Sequence, residues 1–114
     1  MAIQKWSDRI WVAQLGDEPA LSEELDALHH ESQRSQRAPH LVLDLSHVSA
    51  INSSNLAAML RLRKQSIERD VKLRVAAPRD AVWVVFLTTG LDKVFEFRQD
   101  TASALADLQM HEKQ

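Results

Sequence analysis

Apolar positions along the chain fall into short runs whose period switches between two and roughly 3.6 residues. Ile3 to Trp6 and Ile10 to Leu15 flank the polar triplet Ser7-Asp8-Arg9. In the second run Ile10 and Val12 alternate with Trp11, Ala13 and Leu15, the pattern of a strand covered on both faces. With Ser-Asp-Arg as a tight turn, the pattern predicts an N-terminal β-hairpin. Gly16-Asp17-Glu18-Pro19 then interrupts. Leu21, Leu25 and Leu28 recur at helical spacing between about Ala20 and Arg34, with acidic residues in the first turns, where the helix dipole favours them. The polar tail from His29 to Arg37 is expected to fray before Pro39.

The centre of the chain is the stretch from Leu41 to Leu56. Leu41-Val42-Leu43 reads as a buried strand ending at Asp44, a loop covers Ser46 to Ile51, and Asn52-Ser53-Ser54-Asn55 opens a helix from Ser54 to about Arg69. Leu56, Met59, Leu60, Arg63 and Ile67 are expected on its buried stripe, with Ala57, Arg61, Lys64 and Glu68 outward. Lys72 to Ala76 predicts a further strand, with Val71, Leu73 and Val75 on one face. The run Val82 to Leu87 has the β-branched and aromatic content of a strand. Asp80 and Gly90 nevertheless frame it as a helix, and the alternation of strands and helices elsewhere decides for a helix from Arg79 to Thr89. Its inward face would use Val82, Val85, Phe86 and Thr89, leaving Trp83, Val84 and Leu87 as an outward apolar patch. The plain reading is that a neighbouring segment, such as the C-terminal helix, covers the patch; the sharper one is a partner or self-association surface anchored by Trp83. Lys93 to Phe97 reads as a short strand, and Thr101 to His111 as a closing helix with Leu105 and Leu108 inward. The expected fold is α/β: one domain over residues 1–114, with a mixed sheet of about five strands and about four helices.

Composition narrows the chemistry. The chain lacks cysteine, which excludes disulfides and thiolate metal sites. A net charge of −2 does not provide the basic surface that nucleic acids require. The two glycines, Gly16 and Gly90, form no phosphate-cradling loop. The N-terminal segment does not read as a signal peptide and no apolar run is long enough to span a bilayer, so a cytoplasmic protein is expected, without membrane insertion and without a cofactor. His29 and His30 are adjacent on a helix, point in different directions and have no third ligand nearby, so a solvated face is expected rather than a metal site. No nucleophile–base spacing or paired carboxylate marks an enzyme. Asp44 near Ser53 is read as a strand-end residue that caps the following loop.

Three stretches resemble the STAS domain family, which includes anti-sigma-factor antagonists and sulfate-transporter C-terminal domains. Leu41-Val42-Leu43-Asp44-Leu45-Ser46 is similar to the family's central strand and its exit. Ile51-Asn52-Ser53-Ser54-Asn55-Leu56 lies where the family has a pattern like Asp-Ser-Ser-Gly-Leu, and Thr89-Gly90-Leu91-Asp92-Lys93-Val94-Phe95 is similar to its late Thr-Gly-Leu-Asp-Lys-Leu-Phe signature. Leu15-Gly16-Asp17 resembles a degenerate form of its early Gly-Glu-Leu-Asp.

The resemblance implies a non-catalytic regulatory domain of anti-sigma-factor-antagonist type, with Ser53 as the phosphoacceptor in a loop shared with Asn52, Ser54 and Asn55. It implies two partners, a serine kinase that is itself an anti-sigma factor and a phosphatase. The alternative is a non-switching STAS subunit of a larger assembly, such as a stress-sensing scaffold or the accessory protein of a lipid-transporting ABC complex. Two departures bear on the choice: Asn52 stands for the family's Asp, and Asn55 for its Gly. Asn52 keeps the capping shape without the charge, and Asn55 is expected to add a side chain on a surface the family keeps bare. The plain role of Ser53 and Ser54 is a helix cap, worth about 1 kcal/mol. Ala57, Arg61, Lys64, Trp83, Val84 and Leu87 are the expected partner surface, and a homodimer is left open.

Overall fold

A computed structural model describes the backbone of residues 2–112 and the side chains of residues 3–110. The strands are β1 (Ala2–Lys5), β2 (Ile10–Gln14), β3 (His40–Asp44), β4 (Leu73–Ala76) and β5 (Phe97–Arg98); the helices are α1 (Ala20–Arg34), α2 (Ser53–Glu68), α3 (Asp80–Thr89) and α4 (Thr101–Glu112). One five-stranded sheet runs in the order β1-β2-β3-β4-β5. β1 and β2 form the expected antiparallel hairpin, and every later pairing is parallel. In the hairpin turn the Ser7 hydroxyl accepts from the amides of Arg9 and Ile10, each at 3.1 Å.

Parallel neighbours need crossover helices, and these cover the sheet. Trp11, Ala13, Leu15, Leu41, Leu43, Val75 and the buried faces of α1, α2 and α3 make the larger core. On the other side, Ile10, Val12, Val42 and Ala76 pack with Ala104 and Leu108 of α4. The alternation in residues 10–15 is thus a strand serving two cores. A buried Leu or Phe in such a core contributes about 1.5–3 kcal/mol. Asp107 pins α4 to the sheet edge, accepting from the buried Arg74 and, at 3.0 Å, from Arg98.

Several expectations are corrected. The buried stripe of α2 is Asn55, Leu56, Met59, Leu62 and Ser66. Leu60 and Arg63 are half-buried and Ile67 is 59 % exposed, because Ile67 lies one helical step round from Ser66. Polar Asn55 and Ser66 are buried although the expected stripe included neither. The tail of α1 does not fray: Ser32 is fully buried, donates to the Leu28 carbonyl at 2.7 Å and accepts from Gln65 Nε2 at 2.7 Å. The Arg69 guanidinium donates to the carbonyls of Ser32 at 2.6 Å and Ser35 at 2.7 Å, closing the end of α1. Lys93 to Phe97 is not a strand; a 3-10 turn spans Leu91–Lys93, Phe95 is buried, and pairing starts only at Phe97.

α3 is a helix, stopped by Gly90 at φ 78° in the left-handed region. Val82 and Phe86 are buried and Val85 is half-buried. Thr89 is exposed, not inward, and returns its hydroxyl to the Val85 carbonyl at 2.8 Å. Val84 and Leu87 are exposed, whereas Trp83 is half-buried against Phe97 of β5. The segment that partly covers the apolar patch is therefore β5, not the C-terminal helix, which packs on the opposite sheet face.

Candidate functional site

Parallel pairing of β2, β3 and β4 brings their carboxyl ends to one edge of the sheet. Gln14 is in register with Asp44, and Asp44 with Ala76. The loops that follow these strands therefore gather there, at the position where open α/β sheets present their functional groups. Asp44 is buried and its Oδ1 accepts from the Ser46 amide at 2.9 Å, so it caps the loop as expected.

The start of α2 is built by two asparagines. Asn52 is the N-cap, with extended backbone at φ −116° and ψ 174°. Its Oδ1 accepts from the Asn55 amide at 2.8 Å, and Asn55 Oδ1 accepts from the Asn52 amide at 3.0 Å. This reciprocal capping box leaves Ser53 and Ser54 exposed as the first two residues of the helix, with hydroxyls that the cap does not use. The plain role assigned to the two serines belongs instead to Asn52.

Asn55 is fully buried. Its side chain does not stand on the surface, as the sequence led one to expect, but points inward and donates from Nδ2 to Glu18 Oε2 at 3.2 Å and to Ser22 Oγ at 3.3 Å. Where a glycine would leave a gap, Asn55 bridges the first turn of α2 to the loop between β2 and α1. The two departures from the family pattern are thus one structural unit.

That loop carries the acidic groups of the site. Asp17 accepts from the Ser49 amide at 2.7 Å and the Ser49 hydroxyl at 2.6 Å. Glu18 accepts from the Ser22 amide at 2.7 Å and from the Ser22 hydroxyl. The bond from the Ser49 hydroxyl is the main cause holding the Asp17 carboxyl below its ordinary range, with a small contribution from Arg79. The bond from the Ser22 hydroxyl does the same for Glu18, followed by the Ser22 amide and the Asn55 side chain. Reading the sequence alone passed over Glu18, Ser22 and Ser49. The available signal was the Asp17-Glu18 pair ahead of Pro19, set against a neutral asparagine where a carboxylate was expected.

Of the other candidates, Ala57, Arg61 and Lys64 are exposed on the outward face of α2, while Trp83, Val84 and Leu87 lie apart on α3. His29 is half-buried, and desolvation, then the neighbouring His30, lowers its pKa. No group of three or more His, Cys, Asp or Glu side chains among the described residues is placed to hold a metal ion. No helix among them is long and apolar enough to cross a membrane.

Comparison with solved structures returns the same architecture. A point variant of Moorella thermoacetica RsbS superposes with a TM-score of 0.83 at 16 % identity, covering 99 % of this chain and 97 % of that one. The anti-sigma factor antagonist SpoIIAA in its unphosphorylated form gives 0.79 at 13 % identity, covering 95 % of each. An anti-sigma factor antagonist from Mycobacterium paratuberculosis gives 0.72 at 24 % identity, covering 95 % of this chain and 92 % of that one. At such identities these likenesses establish the fold. The family model for the STAS domain matches residues 3–104, and the chain belongs to the STAS domain family.

Proposed function

We propose that this protein is a non-catalytic regulatory module of anti-sigma-factor-antagonist type, switched by phosphorylation of Ser53. The observation that carries the reading is the division of labour at the start of α2. Asn52 and Asn55 complete the cap between themselves, so the Ser53 hydroxyl is exposed and free of a structural task. Transfer from a nucleoside triphosphate would form the Ser53 Oγ–P bond and break the bond to the nucleoside diphosphate. The hydroxyl proton would pass to a base of the kinase, because the neutral Asn52 amide cannot accept it.

The helix tolerates the product. A phosphoserine adds about −1.5 to −2 charges at the positive end of the dipole, beside the first backbone N–H groups of α2. The fold therefore survives, while a partner surface shaped to the unmodified serine is lost. Partners of the implied kind are a serine kinase that is itself an anti-sigma factor and a phosphatase. Similarity of fold to SpoIIAA, known here in an unphosphorylated form, supports this class of regulation.

Intact-mass measurement of protein purified from its native host, with phosphatases inhibited, tests the switch. The expected result is a species heavier by one phosphoryl group that disappears in Ser53→Ala. A single unmodified mass across growth and stress conditions would reject switching and leave the reading of a constitutive STAS subunit in a larger assembly.

A further inference from the structure

Asp17 and Glu18, adjacent in the chain, grip it on opposite sides of Ser53. Upstream, Asp17 accepts from the Ser49 amide at 2.7 Å, the Ser49 hydroxyl at 2.6 Å and the Ala50 amide at 3.4 Å. Downstream, Glu18 accepts from Asn55 Nδ2 at 3.2 Å while also holding the amide and hydroxyl of Ser22 in the first turn of α1. A modified Ser53 would thus place a strongly negative group in a frame whose two sides are carboxylates.

The two sides differ in how they respond. Asp17 is bound to Ser49 and Ala50, which are exposed and belong to neither a helix nor a strand. Glu18 is bound to the buried amide of Asn55, which is fixed in the first turn of α2 by its reciprocal bonds with Asn52. Repulsion at Ser53 is therefore relieved most directly by moving the exposed Glu18 side chain, not the helix. A glycine at position 55 would offer no amide to let go, so the device depends on this chain's Asn55.

We propose that Glu18 is the positioning residue that reads out the state of Ser53. Phosphorylation expels its carboxylate from Asn55 and Ser22, leaving the direct bond from Asn55 Nδ2 to Ser22 Oγ at 3.3 Å to join the first turn of α1 to the start of α2. The partner then meets a changed surface that extends beyond the serine to the β2–α1 loop and Ser22. This rests on Ser53 being the phosphoacceptor. The test below uses phosphoserine installed at position 53 by nonsense suppression, so it succeeds or fails independently of modification in the host.

NMR amide exchange and carboxyl titration are read on the full chain with serine or phosphoserine at position 53. Exchange of the Ser22 amide is expected to rise several-fold with phosphoserine, and the Glu18 carboxyl to titrate at higher pH. In Glu18→Gln the Ser22 amide should exchange faster from the outset and show no further rise on phosphorylation. An unchanged Ser22 amide and an unmoved Glu18 titration would overturn the proposal. So would an equal rise in the Glu18→Gln background, because the phosphate would then act by another route. Should Glu18→Gln fail to fold, the Glu18 titration in the unsubstituted chain decides alone.

Discussion

The indole of Trp83 stands edge-on to the ring of Phe97, with centroids 4.9 Å apart and planes at 82°. Phe97 in turn meets Phe86 at 4.9 Å, so an outward position of α3 is tied to the core through the last strand. Trp83→Glu is expected to lower stability by about 1–3 kcal/mol through lost aromatic packing and a charge set against Phe97. Urea unfolding of the variant measures this, and an unchanged midpoint would place Trp83 outside the packing. The expectation of self-association through α3 is better probed at Leu87, 49 % exposed, where Leu87→Glu should change stability by less than about 0.5 kcal/mol. Sedimentation of that variant then reports association without the confusion of unfolding.

What the sequence made legible follows from where the physics is local. The hairpin turn at Ser7 to Arg9, the Leu21-Leu25-Leu28 stripe and the Gly90 stop each depend on residues within a few positions, and each was readable. The inward turn of Asn55 was not, because its burial requires Glu18 and Ser22, far away in the chain. The same holds for Ser32, whose burial depends on Gln65, and for the ordered end of α1, which depends on Arg69. The strand expected at Lys93 to Phe97 failed for a related reason: Phe95 is buried by packing against Phe86, not by pairing. Ser53 was identified by resemblance, but its freedom from capping became visible only once Asn52 and Asn55 were seen bonded to each other.

Asn52→Ala should cost about 1 kcal/mol as a lost N-cap. Asn55→Gly should cost about 1–3 kcal/mol, since it removes a buried amide and strands its partners. Each bond joins one residue's side chain to the other's backbone amide, which either substitution keeps, so the double variant should be destabilised by the sum of the singles to within about 0.5 kcal/mol. A thermal-denaturation cycle checks this; a larger coupling would show that each bond positions the other.

Acid should loosen the site before the core. The carboxyls of Asp17 and Glu18 are both held below their ordinary values, chiefly by the hydroxyls of Ser49 and Ser22. A carboxylate with a depressed folded pKa stabilises fully above its unfolded pKa, and the contribution is lost as pH falls through the folded one. Protection of the Ser22 and Ser49 amides from exchange, relative to the intrinsic rate at each pH, should therefore be steady from pH 7 to the ordinary carboxylate range and fall below it, a relative rise in exchange. Asp17→Asn should remove the rise at Ser49 while leaving that at Ser22. A rise at both positions starting near neutral pH would point to another group.

Arg69 closes the end of α1 through main-chain carbonyls, chiefly those of Ser32 and Ser35, with Gln33 at 3.3 Å. Arg69→Ala should cost about 1.5–3 kcal/mol, the range for hydrogen bonds from a charged donor, and should raise exchange in the last turn of α1. Arg69→Lys should recover little, because a single ammonium cannot span both carbonyls in the fixed fork of a guanidinium. Full rescue by lysine would mean that only charge matters there.

Asn52→Asp restores the acidic residue that the family pattern carries, yet in this chain it enters a site that already holds one. The Asn52 side chain is among the donors that lower the Glu18 pKa, although a smaller cause than Ser22 and Asn55. Replacing its amide by a carboxylate removes that donor and adds a like charge beside Glu18. The new carboxylate still accepts the Asn55 amide, so the cap survives and stability at neutral pH should fall by no more than about 1 kcal/mol. Glu18, however, should titrate at higher pH, and its hold on Asn55 Nδ2 should weaken. NMR titration of the Glu18 carboxyl in wild type and variant measures the effect. If the midpoint is unmoved, the neutral residue at position 52 is no adaptation to Glu18. An upward shift, with the Asn55 side-chain amide moving in step, would show that the charge absent from position 52 has been taken over by the loop before α1.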